Sequence, residues 1–260
     1  GFYLAVMLVL FGLIVRAVSF EFRAHDPKWA RVWDICFVVG SLLPALLLGV
    51  AVGNAFAGIP LAANGDYAGV PLLGLITPFT LLVGLLGCAM CLAAGSLWVA
   101  LKTPVESAIR ARARKLSRAL QACVVVLFLA ASAYALLGVR PEIEAAMWPV
   151  CWVLAAAFLV CVGASIYAGQ VRGRDLASFV LQSAGAVLLV ALLAASMFPN
   201  LVVAAPGSAG VTITAANAAS SELSLAWMTG IAAIGVPLVL VYHVIVYRTF
   251  RGRLSEKDVA

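Results

Sequence analysis

The sequence predicts an all-α fold, a polytopic membrane helix bundle with about seven transmembrane helices. Of its 260 residues, 65% are hydrophobic and only 11% are charged, which excludes an ordinary soluble domain. The charges are concentrated in short segments, and the uncharged runs between them reach the roughly 20 residues that a helix needs to cross a bilayer. In lipid, the backbone of such a run must satisfy its own hydrogen bonds, as a helix does. We treat residues 1–260 as a single transmembrane domain.

Trimming the uncharged runs at proline and glycine clusters gives seven predicted helices: residues 1–19, 35–57, 76–101, 118–138, 147–170, 176–197 and 223–247. The long run 176–221 holds only one of them, because its second half is broken by prolines and glycines and is rich in Ser, Thr and Asn. That half is predicted to be an ordered surface loop, and Ser221 is the expected N-cap of the last helix. Gly49 and Gly53, four residues apart, are expected to let two helices pack closely.

Basic residues occur in alternate loops, and the remaining loops are mainly acidic. By the positive-inside rule, the basic loops and the carboxyl terminus are cytoplasmic, and Gly1 lies on the outer side. The chain begins inside a helix, without an initiator Met, so we expect an amino-terminal part with a further helix to precede it. The basic residues of the loops assigned to the cytoplasm are Arg23, Lys28, Arg31, Lys102, Arg110, Arg112, Arg114, Lys115, Arg118, Arg172, Arg174, Arg248, Arg251, Arg253 and Lys257. The alternate loops hold Asp66, Glu142, Glu144, Glu222 and only one basic residue, Arg140.

The most informative stretch is residues 1–34, an uncharged helix followed by a polar and aromatic hairpin. Arg16 interrupts the apolar run, and a charge at mid-bilayer costs roughly 2.5–3.5 kcal/mol on insertion scales. Its nearest carboxylate is Glu21, which is therefore its predicted electrostatic partner. The hairpin also contains Arg23, Asp34 and two tryptophans, Trp29 and Trp33, which are typical of interfacial anchors.

The segment Thr103-Pro104-Val105-Glu106 has the pattern of a helix N-terminus, with a capping threonine, a proline and a capping-box glutamate. It predicts that a helix begins there and continues through the basic cluster at residues 110–118. Two interpretations of this cluster stay open: an interfacial segment that sets topology, and a regulatory site for anionic lipid. The net charge of +6 is a topology signal, and nothing in the sequence points to nucleic-acid binding.

Several motifs occur in a characteristic order at the two ends of the chain. The amino-terminal motifs are GFYLAVMLVL, RAVSFEFR, Trp33-Asp34, Gly40-Ser41, Pro44, GVAVGN at 49–54 and Gly58-Ile59-Pro60. The carboxyl-terminal ones are Phe198-Pro199, Asn217 to Ser221, Leu225, Met228, Pro237, Tyr242, Tyr247, Phe250 and Gly252. In this order the motifs resemble subunit II of the bacterial cytochrome bd-type quinol oxidases, with Gly53, Asn54, Pro199, Asn217, Ser220 and Ser221 as the family-motif positions singled out. The family is similar to an eight-helix protein of the bacterial inner membrane, so seven helices here fit a chain that lacks the first.

The resemblance implies a terminal oxidase of the aerobic respiratory chain that oxidises quinol, reduces dioxygen to water and takes protons from the cytoplasm. In that family, subunit I holds haem b and haem d and is the heterodimer partner of subunit II. This chain would stabilise subunit I and help deliver protons, with no catalytic residue and no cofactor of its own. A bound quinone and small accessory subunits are further possibilities that the family suggests.

By resemblance, Glu21 is the candidate carboxylate for proton uptake, with Arg16 as its partner. The alternative is a purely structural Arg16–Glu21 pair that orients the hairpin. We predict no metal site: His25 is expected in a solvated loop and His243 near the end of the last helix. Cys88 and Cys91 form a CxxC without the histidine of a haem-attachment motif, which favours packing.

The alternative function from composition alone is a polytopic permease. Permeases usually contain buried ionisable residues or helices broken at matching positions in two halves. The predicted spans have almost no charges and no convincing internal repeat, which favours the oxidase subunit.

Overall fold

The computed structural model describes residues 2–25, 27–63, 66–139, 147–250 and 252. Within them are seven helices long and apolar enough to cross a membrane, as predicted. They are α1 Tyr3–His25, α2 Ala30–Ala57, α3 Pro78–Lys102, α4 Ala108–Val139, α5 Trp148–Gln170, α6 Asp175–Met197 and α7 Glu222–Thr249. The last five residues of α4, Ala135–Val139, are wound as a π-helix.

The first hairpin is helical for nearly all of its length, which the charge pattern did not predict. The first helix continues six residues beyond its predicted end, to His25, and α2 begins at Ala30, five residues early. A short 3-10 turn, Pro27–Trp29, follows α1 and leads into α2. Long charged side chains can extend to the head groups while their backbone stays helical, so the first charge does not mark the end of a span.

The prediction that a helix begins at Thr103 is wrong. The third helix ends at Lys102, and the hydroxyl of Thr103 donates back to the carbonyl of Val99. The next helix begins at Ala108, where the Ser107 hydroxyl accepts from the backbone N–H of Ile109 at 3.2 Å. The threonine hydroxyl is thus used to end one helix, and a serine four residues later caps the next.

The centre of the bundle is an apolar cluster contributed by α3, α4 and α5. Phe158 and Val162 are fully buried, and the rings of Phe128 and Phe158 lie 4.5 Å apart between centroids. The other buried members are Leu86, Ala89, Met90 and Val124. Because apolar side chains gain little by leaving lipid for protein, close packing and dispersion hold this cluster together.

Glycines allow α2 and α3 to approach one another, as predicted for Gly49 and Gly53. A Cβ added at Gly49 would lie 2.8 Å from the Cα of Gly84, and one added at Gly53 would lie 3.0 Å from the Cα of Thr80. Backbone contact of this kind increases dispersion between helices in the membrane.

Helix α7 stands apart from the rest, since none of its residues is buried. Its recorded contacts include Lys102 Nζ, which donates to the Phe250 carbonyl at 2.6 Å, and the ring of Trp98, 5.9 Å from that of Tyr247. Its N-cap is Ser221, as predicted, with the hydroxyl accepting from Ser224 N–H at 3.4 Å.

The segment between α6 and α7 is an ordered loop, as predicted, and it contains a small sheet that was not predicted. Strand β1, Asn200–Val202, pairs antiparallel with β2, Ile213–Thr214. The loop also bonds to the segment after α2: Ile59 N–H donates to the Val203 carbonyl at 3.0 Å, and Gly210 N–H to the Leu61 carbonyl at 2.8 Å. Two connections therefore form one layer at the end of the bundle away from the basic loops.

The alternation of loops follows the prediction. The contact of Lys102 with Phe250 and the pairing of Arg110 with Asp175 place the basic loops after α3, α5 and α7 at one end. The charges at 140, 142, 144, 251, 253 and 257 that were also used for the orientation lie outside the described residues. The cytoplasmic location of this end stays a prediction from the positive-inside rule.

Candidate functional site

The α1–α2 hairpin is held by backbone contact close to Arg16. A Cβ added at Gly40 would lie 2.6 Å from the Gly12 carbonyl oxygen and 2.9 Å from the Arg16 backbone nitrogen. Pro44 lies against Gly12, 3.1 Å from a Cβ built there. The two helices therefore have little freedom to slide, which fixes the positions of the charged residues that follow.

Arg16 does not pair with Glu21, so that prediction is wrong. Neither residue takes part in an ion pair within the described part of the chain. Five residues on a helix turn through about 500°, which leaves the two side chains roughly 140° apart around α1. Arg16 instead lies beside Phe37 of α2, with its guanidinium carbon 5.7 Å from the ring centroid, within the range of a cation–π contact.

Glu21 is an exposed carboxylate near the end of α1. Its backbone carbonyl faces Nδ1 of His25, one turn along the same helix, at 3.0 Å. The Glu21 carboxylate has no cationic partner among the described residues.

Three of the predicted hairpin residues come together across α1 and α2. Arg23 forms an ion pair with Asp34, and the ring of Phe22 lies 5.2 Å from that of Trp33. Trp29 is at the turn, 59% exposed, in the place expected of an interfacial anchor. The ion pair of this hairpin is thus Arg23–Asp34, where the sequence suggested Arg16–Glu21.

Of the family-motif positions, Gly53 and Asn54 make contacts near the end of α2. Asn54 is 3% exposed, and its amide donates to the carbonyls of Val50 at 2.8 Å and Leu75 at 2.7 Å. Thr80 donates to the same Leu75 carbonyl at 2.8 Å. The Leu75 carbonyl, at the end of the short 3-10 helix Leu73–Leu75, is satisfied in this way, so these two positions have a structural basis.

The other motif positions shape the loop before α7. The Phe198–Pro199 peptide bond is cis. The Asn217 side chain bonds to the backbone of the preceding residues, accepting from Thr214 N–H at 2.7 Å and donating to the Thr212 carbonyl at 2.9 Å. Ser220 is exposed. These residues lie at the opposite end from Glu21, and the structure does not bring the two sets together.

A buried polar column between α4, α5 and α6 was missed by the sequence analysis. We define it by Arg110, Arg114, Ser117 and Gln121 on α4, Ser165 on α5, and Asp175, Ser178 and Gln182 on α6. All are buried except Arg114, whose side chain is 26% exposed. A signal existed in the sequence, because 110, 114, 117 and 121 have the spacing of one helix face.

A cavity of about 300 Å³ occupies the other half of the bundle. Helices α2 to α6 line it with apolar side chains that include Phe56, Phe79, Phe128, Trp148 and Trp152. Its size is at the low end of ligand pockets, and its lining suits an apolar chain.

The described residues contain no group of three His, Cys, Asp or Glu side chains placed to hold a metal ion. His25 and His243 are both exposed, each with Nδ1 against the carbonyl four residues earlier, and neither lines the cavity. An axial haem ligand needs an imidazole, thiolate or thioether directed into a cofactor-sized space. The two histidines are therefore not placed as haem ligands in this cavity.

Comparison with known proteins decides the family. Residues 1–250 match the family described as cytochrome bd terminal oxidase subunit II. The chain belongs to this family. It is 32% identical over 275 residues to cytochrome bd ubiquinol oxidase subunit 2 of Bacillus subtilis, covering 99% of this chain and 75% of that protein. It is 27% identical over 292 residues to cytochrome bd-I ubiquinol oxidase subunit 2 of Escherichia coli K12, covering 100% and 76%. It is also similar to the probable cytochrome oxidase subunit 2 of Haemophilus influenzae, at 28% identity over 293 residues.

Membership of the cytochrome bd subunit II family confirms the predicted class and location. With seven apolar helices, the chain is a multi-pass protein of the bacterial inner membrane and a component of a terminal oxidase, an oxidoreductase complex that contains haem. A polytopic permease, the alternative left by composition, is not supported. The family also implies a subunit I partner.

Proposed function

We propose that this chain is a subunit of a quinol oxidase. It stabilises a haem-bearing subunit I, and its Glu21 takes up protons from the cytoplasm. Haem b and haem d would be held by subunit I in a heterodimer, where quinol is oxidised and dioxygen is reduced to water. The chain's own contribution is to exclude water and lipid from its partner and to hold a carboxylate at the membrane surface.

The observation that carries the assignment to Glu21 is its accessibility. It is an exposed carboxylate near the basic end of α1, and it is not neutralised by an ion pair among the described residues. Asp34, another carboxylate of the hairpin, is neutralised by Arg23. A group that accepts protons from water and passes them on must be exposed and free to change charge, which Glu21 satisfies and Asp34 does not.

The experiment measures oxygen consumption with quinol as the electron donor, using the complete oxidase with Glu21→Gln. The substitution keeps the size and polarity of the side chain but removes its proton, so we expect slower turnover with unchanged haem absorbance. Glu21→Asp retains the carboxyl group and should recover part of the rate.

The matched control is Glu106→Gln, an exposed carboxylate on the connection between α3 and α4 at the same end. It changes the surface charge equally and should leave the rate unchanged. Unaltered turnover in Glu21→Gln would remove Glu21 from proton uptake. Loss of haem from that variant would show instead that the residue stabilises the complex.

We further propose that the 300 Å³ cavity is where a quinone would bind this subunit. The support is its apolar and aromatic lining and its position among the membrane-spanning helices, open to a hydrophobic ligand. A lipid acyl chain has the same chemistry, and the two are distinguished by what is extracted with the purified complex.

A further inference from the structure

The polar column divides the α4–α5–α6 bundle into two halves of different character. Its members follow the helices from Arg110 to Gln121, eleven residues or about 16 Å along α4. Beyond Gln121 the same face continues with Val124 and Phe128, both buried in the apolar cluster. Polar groups are thus confined to the half that adjoins the basic loops.

At the inner end of the column, polar side chains hydrogen-bond to one another, and one polar atom has no hydrogen-bond partner among the described residues. The amide of Gln121 donates to Ser165 Oγ at 2.7 Å and to Gln182 Oε1 at 3.1 Å, which uses both of its N–H bonds. Ser165 donates in turn to the Ser178 carbonyl at 2.7 Å. The Gln121 carbonyl oxygen, on a side chain that is 0% exposed, has no hydrogen-bond partner among the described residues.

Reversing the amide of Gln121 does not remove the unsatisfied atom. The oxygen would then face Gln182 Oε1, an acceptor, and would require the Gln182 amide to reverse as well. The Gln121 NH₂ group would become the unpaired one, and Gln182 would direct its oxygen at the sulfur of Met90, to which its amide now donates at 3.4 Å. The described side chains can only exchange one unsatisfied group for another, and leaving such a group buried costs about 1–3 kcal/mol.

We propose that the column binds internal water, with one molecule donating to the Gln121 carbonyl oxygen. Buried waters in proteins characteristically satisfy polar groups that lack a protein partner. The site is closed at both ends by side chains. On the basic side, Asp175 is clamped by Arg110 and Arg114, and on the other side Met90, Phe158 and Val162 form an apolar plug. The water therefore lies about one helical turn beyond Arg118, on the basic side of this apolar plug.

The test is a high-resolution cryo-electron microscopy map of the intact oxidase complex, in which the probe is water itself. We expect density within about 3 Å of Gln121 Oε1, a normal hydrogen-bond distance. Ordered side chains for Gln121, Ser165 and Gln182 without such density, in a map that resolves water at other buried sites, would overturn the proposal.

Radiolytic footprinting provides a second measurement that does not depend on map resolution. Water trapped beside the column would be a local source of hydroxyl radicals, and the adjacent Met90, only 7% exposed, is an oxidisable reporter. In the unmodified complex in lipid nanodiscs we expect Met90 oxidation to increase with X-ray dose. No increase in Met90 oxidation with dose would contradict a water-containing column.

The variant Gln121→Leu removes the acceptor while conserving volume, and should lower Met90 oxidation several-fold. Gln170→Leu is the matched control, because Gln170 lies at the end of α5 and donates to the Arg114 carbonyl outside the inner part of the column. It should leave Met90 oxidation unchanged. Equal oxidation in the unmodified complex and Gln121→Leu would place the water elsewhere.

Discussion

Arg110 of α4 and Asp175 of α6 form a buried, forked ion pair in which Nε and Nη2 approach the same carboxylate oxygen at 3.2 and 2.6 Å. The side chains are 10% and 3% exposed, and Arg114 reaches the other oxygen of Asp175 at 3.4 Å. Two arginines around one carboxylate join the beginnings of two helices that are 65 residues apart in sequence. The geometry anchors the basic end of the bundle.

The first prediction concerns this pair. Asp175→Ala should destabilise the protein by about 3–5 kcal/mol, because it leaves buried arginine charge without a counter-ion. Asp34→Ala breaks the exposed pair with Arg23, whose side chains are 58% and 52% exposed, and should cost less than about 1 kcal/mol. Thermal unfolding in detergent, followed by circular dichroism, measures both. Similar unfolding temperatures for the two variants would contradict a stabilising role for the buried pair.

The second prediction compares a glycine of α2, Gly49, with a glycine of α3, Gly95. Gly49→Ala would place a Cβ 2.8 Å from the Cα of Gly84, so α2 and α3 must separate, at about 1–3 kcal/mol. A Cβ at Gly95 of α3 meets nothing within 4 Å, and Gly95→Ala should stabilise by about 0.5–1 kcal/mol through helix propensity. Opposite shifts in unfolding temperature are expected. A stabilising Gly49→Ala would show that the two helices do not touch there.

The third prediction concerns Asn54, which satisfies the Leu75 carbonyl. Asn54→Leu removes both side-chain hydrogen bonds from a buried site and should destabilise by about 1–3 kcal/mol. Ser183→Ala is the control, because the Ser183 hydroxyl is exposed and bonds only within its own helix. Comparable unfolding temperatures for the variant and the control would mean that the Leu75 carbonyl is adequately satisfied by Thr80 alone.

The fourth prediction tests the proposed quinone site. Ala155→Phe adds a ring at the cavity wall and should reduce the quinone that co-purifies with the complex, measured by extraction and chromatography. Ala156→Phe makes the same change one residue later on the exposed side of α5 and should have no effect. Haem absorbance should be unchanged in both. Equal quinone content in the two variants would exclude the cavity as the binding site.

Hydropathy and charge alternation were sufficient to predict all seven spans and their relative orientation. These features follow from local physics, because a bilayer excludes charges and unsatisfied backbone groups whatever the neighbours are. The order of the motifs along the chain was likewise sufficient to predict the family. The beginning of α4 was placed wrongly because Thr103 and Ser107 both suit a cap, and only the geometry of the chain decides which is used.

The sequence alone thus determined that this chain is a membrane helix bundle of the cytochrome bd subunit II family, since composition and residue order contain that information. Only the tertiary structure decided which charges pair. Arg23 pairs with Asp34, Arg110 pairs with Asp175, and Arg16 lies against Phe37. These contacts depend on how the helices are rotated and packed against one another. A linear pattern records how far apart two residues are along the chain, whereas electrostatic and hydrogen-bond energies depend on their distance in space.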